Sequence, residues 1–161
     1  MHISLRLRVS SIPMVLLAML VSAMLVSAGG TPLTQAQAEA RLLPSGITAS
    51  SEGRCTNKSN PQCTSYVGIL SGTVDGVIAL KKAAGVPSLV ITGGTEVGHP
   101  GGVYSHGTGF KVDVRHQPGL DNYIHTAFLK IGNRGDGFPQ WKGPSGNLYC
   151  DEGAHWDITF Y

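Results

Sequence analysis

The sequence predicts an α+β domain in which helices pack on one face of a small antiparallel sheet. Two segments carry apolar residues at helical spacing, 64–84 and 121–131. Three short segments have the β-branched or alternating character of strands: 88–92, 110–114 and 155–160. Packing the helices on one side of these strands is the most economical way to bury both apolar surfaces.

The two helices are predicted from their apolar stripes and their boundaries. The first, 64–84, is expected to end at Gly85-Val86-Pro87, because glycine and proline stop a helix. The second, 121–131, follows Pro118-Gly119. Its apolar residues again recur at helical spacing.

The strands are expected to bring the polar residues of interest together. Residues 88–92 form a continuous β-branched run, which predicts a buried strand. Residues 110–114 alternate in polarity, so that Lys111 and Asp113 share one face. The terminal strand, 155–160, is expected to lie beside 110–114. Two glycine-rich stretches predict long loops: 93–109 and 132–146.

Residues 1–28 have the pattern of a secretory signal peptide. Arg6 and Arg8 precede a mostly apolar run, and small residues before position 29 predict cleavage after Ala28. An uncleaved N-terminal anchor is the alternative, since the run nearly reaches the roughly 18–20 residues that span a bilayer. The protein is therefore expected to be secreted, periplasmic or on the cell surface, and to touch the membrane only through residues 10–28 if they are retained.

The remaining chain is expected to be a short polar linker, 29–44, followed by one domain, 45–161. Removing Arg6 and Arg8 with the signal leaves 10 of the 12 basic residues against 10 acidic ones. This balance excludes the basic surface typical of nucleic-acid-binding proteins. A monomer is expected.

Three cysteines are available for disulfide bonds, which secretion permits. Cys55 and Cys63 close a short polar loop and are the local choice. A bridge from Cys150 would instead brace the segment that carries Glu152. Three pairings are possible, and the sequence does not choose among them.

Two imidazoles and one carboxylate, from His106, Asp113 and His155, are candidate zinc ligands. Three protein ligands with an open fourth position are typical of catalytic zinc. Glu152 precedes His155 by three residues and is the candidate base for a proton from metal-bound water. The site is expected between the sheet and the glycine-rich loop.

The motifs Ser-His-x-x-Gly-x-x-x-Asp, at 105–113, and Glu-x-x-His-Trp, at 152–156, occur together. The pair resembles the zinc D-Ala-D-Ala carboxypeptidases and dipeptidases of peptidoglycan metabolism, whose superfamily includes lysostaphin-type peptidases and the hedgehog signalling domain. The resemblance extends back to Ile91-Thr92-Gly93-Gly94 and covers roughly 89–160. It implies that the three candidate ligands bind zinc, that Glu152 is the catalytic base and that the substrate is a peptidoglycan peptide.

The sequence departs from the family in the region that meets the substrate. Ser105 directly precedes His106, where the family has one residue between them, and Glu96 falls where the family often has an arginine. Arg115 or Arg134 is a possible replacement for that cation. The candidate substrate contacts are Tyr104, Ser105, Glu96 and Arg115.

Other polar and aromatic residues receive supporting roles. Asp157 alternates onto the face of His155 and is a candidate to hydrogen-bond a ligand imidazole. Trp156 is expected in the core or beside the ligands. Three further histidines are not assigned to the metal. His99 is expected to face solvent, with lining of the cleft as the alternative. His116 is expected to be a loop residue, with a fourth contact to the metal as the alternative, and His125 is expected on the helix surface.

The leading prediction is a zinc peptidase that cuts peptidoglycan stem peptides, either at terminal D-Ala or within the stem. The alternative is a non-catalytic, zinc-stabilised module that binds cell wall or protein on the same fold. A third possibility is a disulfide-stabilised interaction domain with no metal.

Overall fold

The computed structural model describes residues 29–161, so the predicted signal segment lies outside the described residues. These residues form an α+β fold with three α-helices and a seven-stranded mixed sheet, which is larger than the small antiparallel sheet expected. The helices are α1 (Gln35–Leu42), α2 (Ser71–Ala84) and α3 (Pro118–Ala127). The strands are β1 (Ile47–Ala49), β2 (Leu89–Gly93), β3 (Lys111–Arg115), β4 (Leu129–Ile131), β5 (Gln140–Lys142), β6 (Leu148–Asp151) and β7 (His155–Thr159).

The order of strands across the sheet is β1-β2-β3-β7-β6-β5-β4. Within residues 29–161, β1 and β2 pair in parallel and the other neighbouring strands pair antiparallel. The expected pairing of the terminal strand with 110–114 is confirmed, because β7 lies beside β3 with Asp113 opposite Asp157.

The three helices cover one face of the sheet. Their buried residues share a single core with the inward residues of β3 and β7, which are Val112, Val114, Trp156 and Ile158. Since side chains alternate along a strand, Asp113, His155 and Asp157 lie on the opposite face. Packing of the apolar side chains against the helices thus fixes the position of the polar side chains on the opposite face of each strand.

The segment 29–44 differs from the linker expected. Thr34 and Gln37 cap the start of α1 reciprocally through a capping box. Ala38 and Leu42 of this helix are buried in the core. The segment is therefore part of the domain, and Leu33 before the helix also pairs with Ile69 and Gly68 through its backbone.

The predicted helices are shifted in the structure. The helix expected over 64–84 begins only at Ser71, because the preceding residues use their backbone groups in loop contacts such as Thr95 N–H to Ser65 O. It ends at Gly85, which has the left-handed conformation of a helix C-cap. The second helix begins earlier, at Pro118, and stops before β4, whose residues were expected to be helical.

Cys55 and Cys63 form the local disulfide, and Cys150 is a buried free thiol. A disulfide is typical of proteins in oxidising compartments. Among residues 29–161, no helix combines the length and apolarity needed to cross a bilayer.

Candidate metal centre

The candidate site lies where β3 and β7 meet the glycine-rich loop that precedes β3. Asp113 projects from β3, opposite Gly93 of β2. A side chain at Gly93 would collide with Asp113 Oδ2, so the glycine leaves room for the carboxylate. Gly109 has a φ of +84° and packs against the backbone of Gly68, which turns the loop so that His106 returns towards β3.

His106 is fixed in one orientation. Its Nδ1 lies 2.7 Å from Gly94 O, and a carbonyl oxygen only accepts, so Nδ1 carries the proton. In the neutral ring the Nε2 lone pair is then directed at Asp113 Oδ1, 3.3 Å away. Both side chains are buried. These two acceptor atoms face one another, and a cation bound between them would satisfy both.

His155 approaches the same carboxylate from β7. Its Nε2 lies 3.4 Å from Asp113 Oδ1 and 3.0 Å from Glu152 Oε2. His106 and His155 thus each lie against Asp113, the third residue predicted as a ligand. Glu152, the predicted base, lies beside them.

The Asp113 carboxyl group is favoured in its ionised form. Burial alone would raise its pKa, but the close contact with His106 and the charge of the nearby imidazoles outweigh burial and lower the pKa. Asp113 is therefore a carboxylate at neutral pH, which is the form that ligates metals.

A further imidazole, His99, joins this cluster. The nearest ligand atoms of His99, His106 and Asp113 all lie within 4.8 Å of one another, and such a group could hold a metal ion. The His99 ring also stacks on His106, with centroids 3.8 Å apart. The expectation that His99 only faces solvent is therefore wrong.

Glu96 explains the position of His99. It is buried, and accepts backbone N–H groups from Ser65 at 2.7 Å and Gly94 at 3.0 Å. Its Oε1 is 3.0 Å from His99 Nε2. Burial would raise the pKa of Glu96, but these hydrogen bonds, from His99 above all, lower it. The bond to Glu96 in turn raises the pKa of His99, against burial. Glu96 was expected to contact substrate, but it faces inward instead.

Arg134 supplies a cation to the site from the loop between β4 and β5. It forms an ion pair with Glu152 and lies 2.8 Å from Asp157 Oδ2. Hydrogen bonds to Asp136 and then Glu152 raise its pKa further, although partial burial opposes the shift. Two arginines were named as replacements for the missing cation. Arg134 lines the cleft that contains His106, Asp113 and His155, whereas Arg115 is exposed outside this cleft.

The predicted supporting residues divide between the two faces. Asp157 accepts from Lys111 and Arg134, both at 2.8 Å, instead of contacting a ligand imidazole. Trp156 lies in the core, where its Nε1–H donates to Asp121 at 2.7 Å. Tyr104 lines the cleft and is 49% exposed, while Ser105 lines it from a buried position.

The other two histidines that were not predicted as ligands lie away from the cleft. His116 sits between Asp121 and Asp151, at 2.9 and 3.2 Å. His125 is exposed on α3 and packs against Trp141.

The cleft has a volume of about 460 Å³. This is within the usual range for small-ligand sites, about 300–1,000 Å³. Its charged and ligand-type side chains are His99, His106, Lys111, Asp113, Arg134, Asp136, Glu152, His155 and Asp157. The cleft therefore combines imidazoles and a carboxylate that could hold a cation with two cationic side chains, Lys111 and Arg134, that could meet an anionic group.

No protein-family model, curated protein or solved structure matches this chain. Function must therefore be inferred from the residues of the cleft.

Proposed function

We propose that this protein is a zinc-dependent peptidase that hydrolyses amide bonds in peptidoglycan stem peptides. The observation that carries the proposal is the position of Glu152. Its carboxylate lies 3.0 Å from His155 Nε2, inside the same cleft as His106 and Asp113. A protein that used the ion only for stability would have no need of a carboxylate there.

The donor set fits zinc. Two imidazole nitrogens lie 3.3 and 3.4 Å from one carboxylate oxygen, and these are the ligand types that zinc accepts in catalytic sites. When bound, zinc supplies Lewis-acid chemistry, polarising a carbonyl and making water more acidic. Another divalent ion with a similar ligand preference is the competing occupant.

Glu152 is assigned the proton transfers. It accepts a proton from the attacking water and delivers it to the leaving amine, so that it is regenerated after each turnover. The ion pair with Arg134 holds one oxygen of Glu152, and the second oxygen lies 3.0 Å from His155 Nε2. A general base of this kind typically contributes a factor of about 10²–10⁴ in rate.

Lys111 and Arg134 are assigned the anionic end of the substrate. Both line the cleft, and Asp157 holds both by ion pairs at 2.8 Å. A peptide carboxylate fits this pair, because guanidinium and ammonium groups bind carboxylates through charge-assisted hydrogen bonds. Arg134 thereby takes the role for which the resemblance implied an arginine near position 96.

A second candidate function is a zinc-stabilised binding module without turnover. The observation that favours it is His99, which adds a third imidazole beside Asp113. Four protein ligands would close the coordination shell, and closed sites are typical of structural zinc.

The test is mass spectrometry of peptidoglycan fragments after incubation with the zinc-loaded, disulfide-bonded protein. Glu152→Gln is the inactive variant, and Asp151→Asn is the matched control, because Asp151 is a neighbouring carboxylate that faces His116 instead. We expect new fragments from the wild type and Asp151→Asn only, with loss on chelation. Zinc binding without cleavage of any stem peptide would contradict the peptidase and favour the binding module.

A further inference from the structure

We propose that His99 is a fourth metal ligand, carried by the glycine-rich loop and oriented by Glu96. This inference rests on the metal site proposed above, but not on the peptidase reaction. It gives the cleft three imidazoles around one carboxylate, where the sequence indicated two.

The first argument is the distribution of imidazoles around Asp113. Oδ1 faces His106 and His155, at 3.3 and 3.4 Å. The second oxygen, Oδ2, faces His99 Nδ1 at 3.7 Å. Each carboxylate oxygen therefore meets a ring nitrogen. The ligand atoms of His99, His106 and Asp113 lie within 4.8 Å of one another, and His155 reaches the same carboxylate from β7.

The second argument is the tautomer of His99. Glu96 is a carboxylate and only accepts, so His99 Nε2 carries the proton in the bond of 3.0 Å between them. In the neutral ring this leaves the Nδ1 lone pair free on the side of Asp113. Ligand histidines commonly donate their other ring N–H to a carboxylate in this way, which fixes the ring and raises its basicity.

The third argument is that one peptide unit orients two rings. Gly94 O accepts from His106 Nδ1, while Gly94 N–H donates to Glu96, which holds His99. Ser65 N–H fixes the same carboxylate at 2.7 Å. A histidine that only stacked on His106 would not require a buried carboxylate fixed by two backbone donors.

The fourth ligand has a consequence for the open position of the site. With His99 bound, a tetrahedral ion has four protein ligands and no vacancy. Water or substrate would therefore reach the ion only by adding a fifth ligand or by replacing one of these four side chains.

The experiment measures zinc affinity of the full-length protein by competition with a chelator, and the absorption spectrum of its Co²⁺ form. His99→Ala should weaken zinc binding at least about 10-fold and change the Co²⁺ spectrum, and Glu96→Gln should weaken binding by about 10-fold. His155→Ala should still bind one ion, through His99, His106 and Asp113. His125→Ala, which removes an exposed imidazole, is the matched control and should behave as wild type.

Wild-type zinc affinity, within about twofold, in His99→Ala together with an unchanged Co²⁺ spectrum would overturn the inference. So would complete loss of binding in His155→Ala. If a variant does not fold, X-ray absorption of the unmodified zinc protein still tests the inference: three imidazoles are expected, and two would contradict a fourth protein ligand. If no peptide is cleaved but these affinities hold, the peptidase fails and the ligand assignment stands.

Discussion

The two faces of the β3–β7 strand pair carry different kinds of side chain, although they share one backbone. On the inner face, Val112, Val114 and Ile158 are fully buried against the helices. On the outer face, Asp113 lies between the imidazoles of His106 and His155. The inner face is complete within the described chain, whereas the outer face has donors arranged for an ion.

This difference separates stability from function along a single strand. Burial of apolar side chains stabilises the fold without any partner, at roughly 25 cal/mol per Å² removed from water. Ligand-type side chains around one carboxylate are stabilised further when a cation binds between them. Substitutions on the inner face should therefore change the metal-free protein, and substitutions on the outer face should change the metal-bound one.

The largest expected effect comes from removing the proposed catalytic base, which leaves both faces otherwise intact. Glu152→Gln should lower the rate of stem-peptide hydrolysis by about 10²–10⁴-fold, because an amide does not accept the proton of water. Zinc affinity and the metal-free melting temperature should stay near wild type. Hydrolysis at the wild-type rate would show that Glu152 is not the base.

The next effect tests the outer face directly. Zinc at about 1,000 times its dissociation constant should raise the free energy of unfolding by about 4 kcal/mol. Asp113→Asn should abolish this increase, because the amide removes the charged ligand shared by both imidazoles. Urea unfolding with and without zinc measures both quantities. Equal stabilisation of Asp113→Asn would place the ion elsewhere.

The inner face should show the opposite pattern. Ile158→Ala should lower the free energy of unfolding of the metal-free protein by about 3 kcal/mol, through lost burial and the cavity left behind. The increment from zinc should remain. Arg115→Ala, on an exposed side chain of the adjacent strand, is the matched control and should have little effect. Loss of the zinc increment in Ile158→Ala would mean that the two faces are coupled.

The smallest expected effect is a pH dependence of the free energy of unfolding that comes from a tyrosine on the inner face. Burial raises the pKa of Tyr149, which lies opposite Ile158, to about 12. A group with a raised folded pKa stabilises the fold below its unfolded pKa of about 10, and this stability is lost as the pH rises towards 12. Ionisation of Tyr149 should therefore lower the free energy of unfolding by about 1 kcal/mol by pH 11. Urea midpoints from pH 8 to 11 measure the loss, and an equal loss in Tyr149→Phe would assign it to another group.

The strands of the site could be predicted because their patterns are local. Alternation in 110–114 and 155–160 placed Asp113 and His155 on polar faces, and the structure pairs those strands. The spacing of Glu152 from His155 also sufficed to place them together. The helix α1 was missed, since Ala38 and Leu42 are too few for a clear stripe. Its readable signal was the capping box of Thr34 and Gln37.

His99 and Glu96 could not be assigned from periodicity, because they lie in a glycine-rich loop without regular structure. Their pairing depends on Ser65 and Gly94, which meet only in the folded chain. Glu96 therefore looked like a substituted substrate contact, whereas the fold makes it the partner of an imidazole. The one local signal was the separation of three residues between the carboxylate and the ring.

The most direct test of the metal centre is a crystal structure of the zinc-loaded protein with anomalous diffraction at the zinc edge. We expect one peak in the cleft, in contact with His106, Asp113 and His155. A peak at another group of side chains, or none in the cleft of a zinc-loaded crystal, would contradict the assignment of the outer face as a metal site.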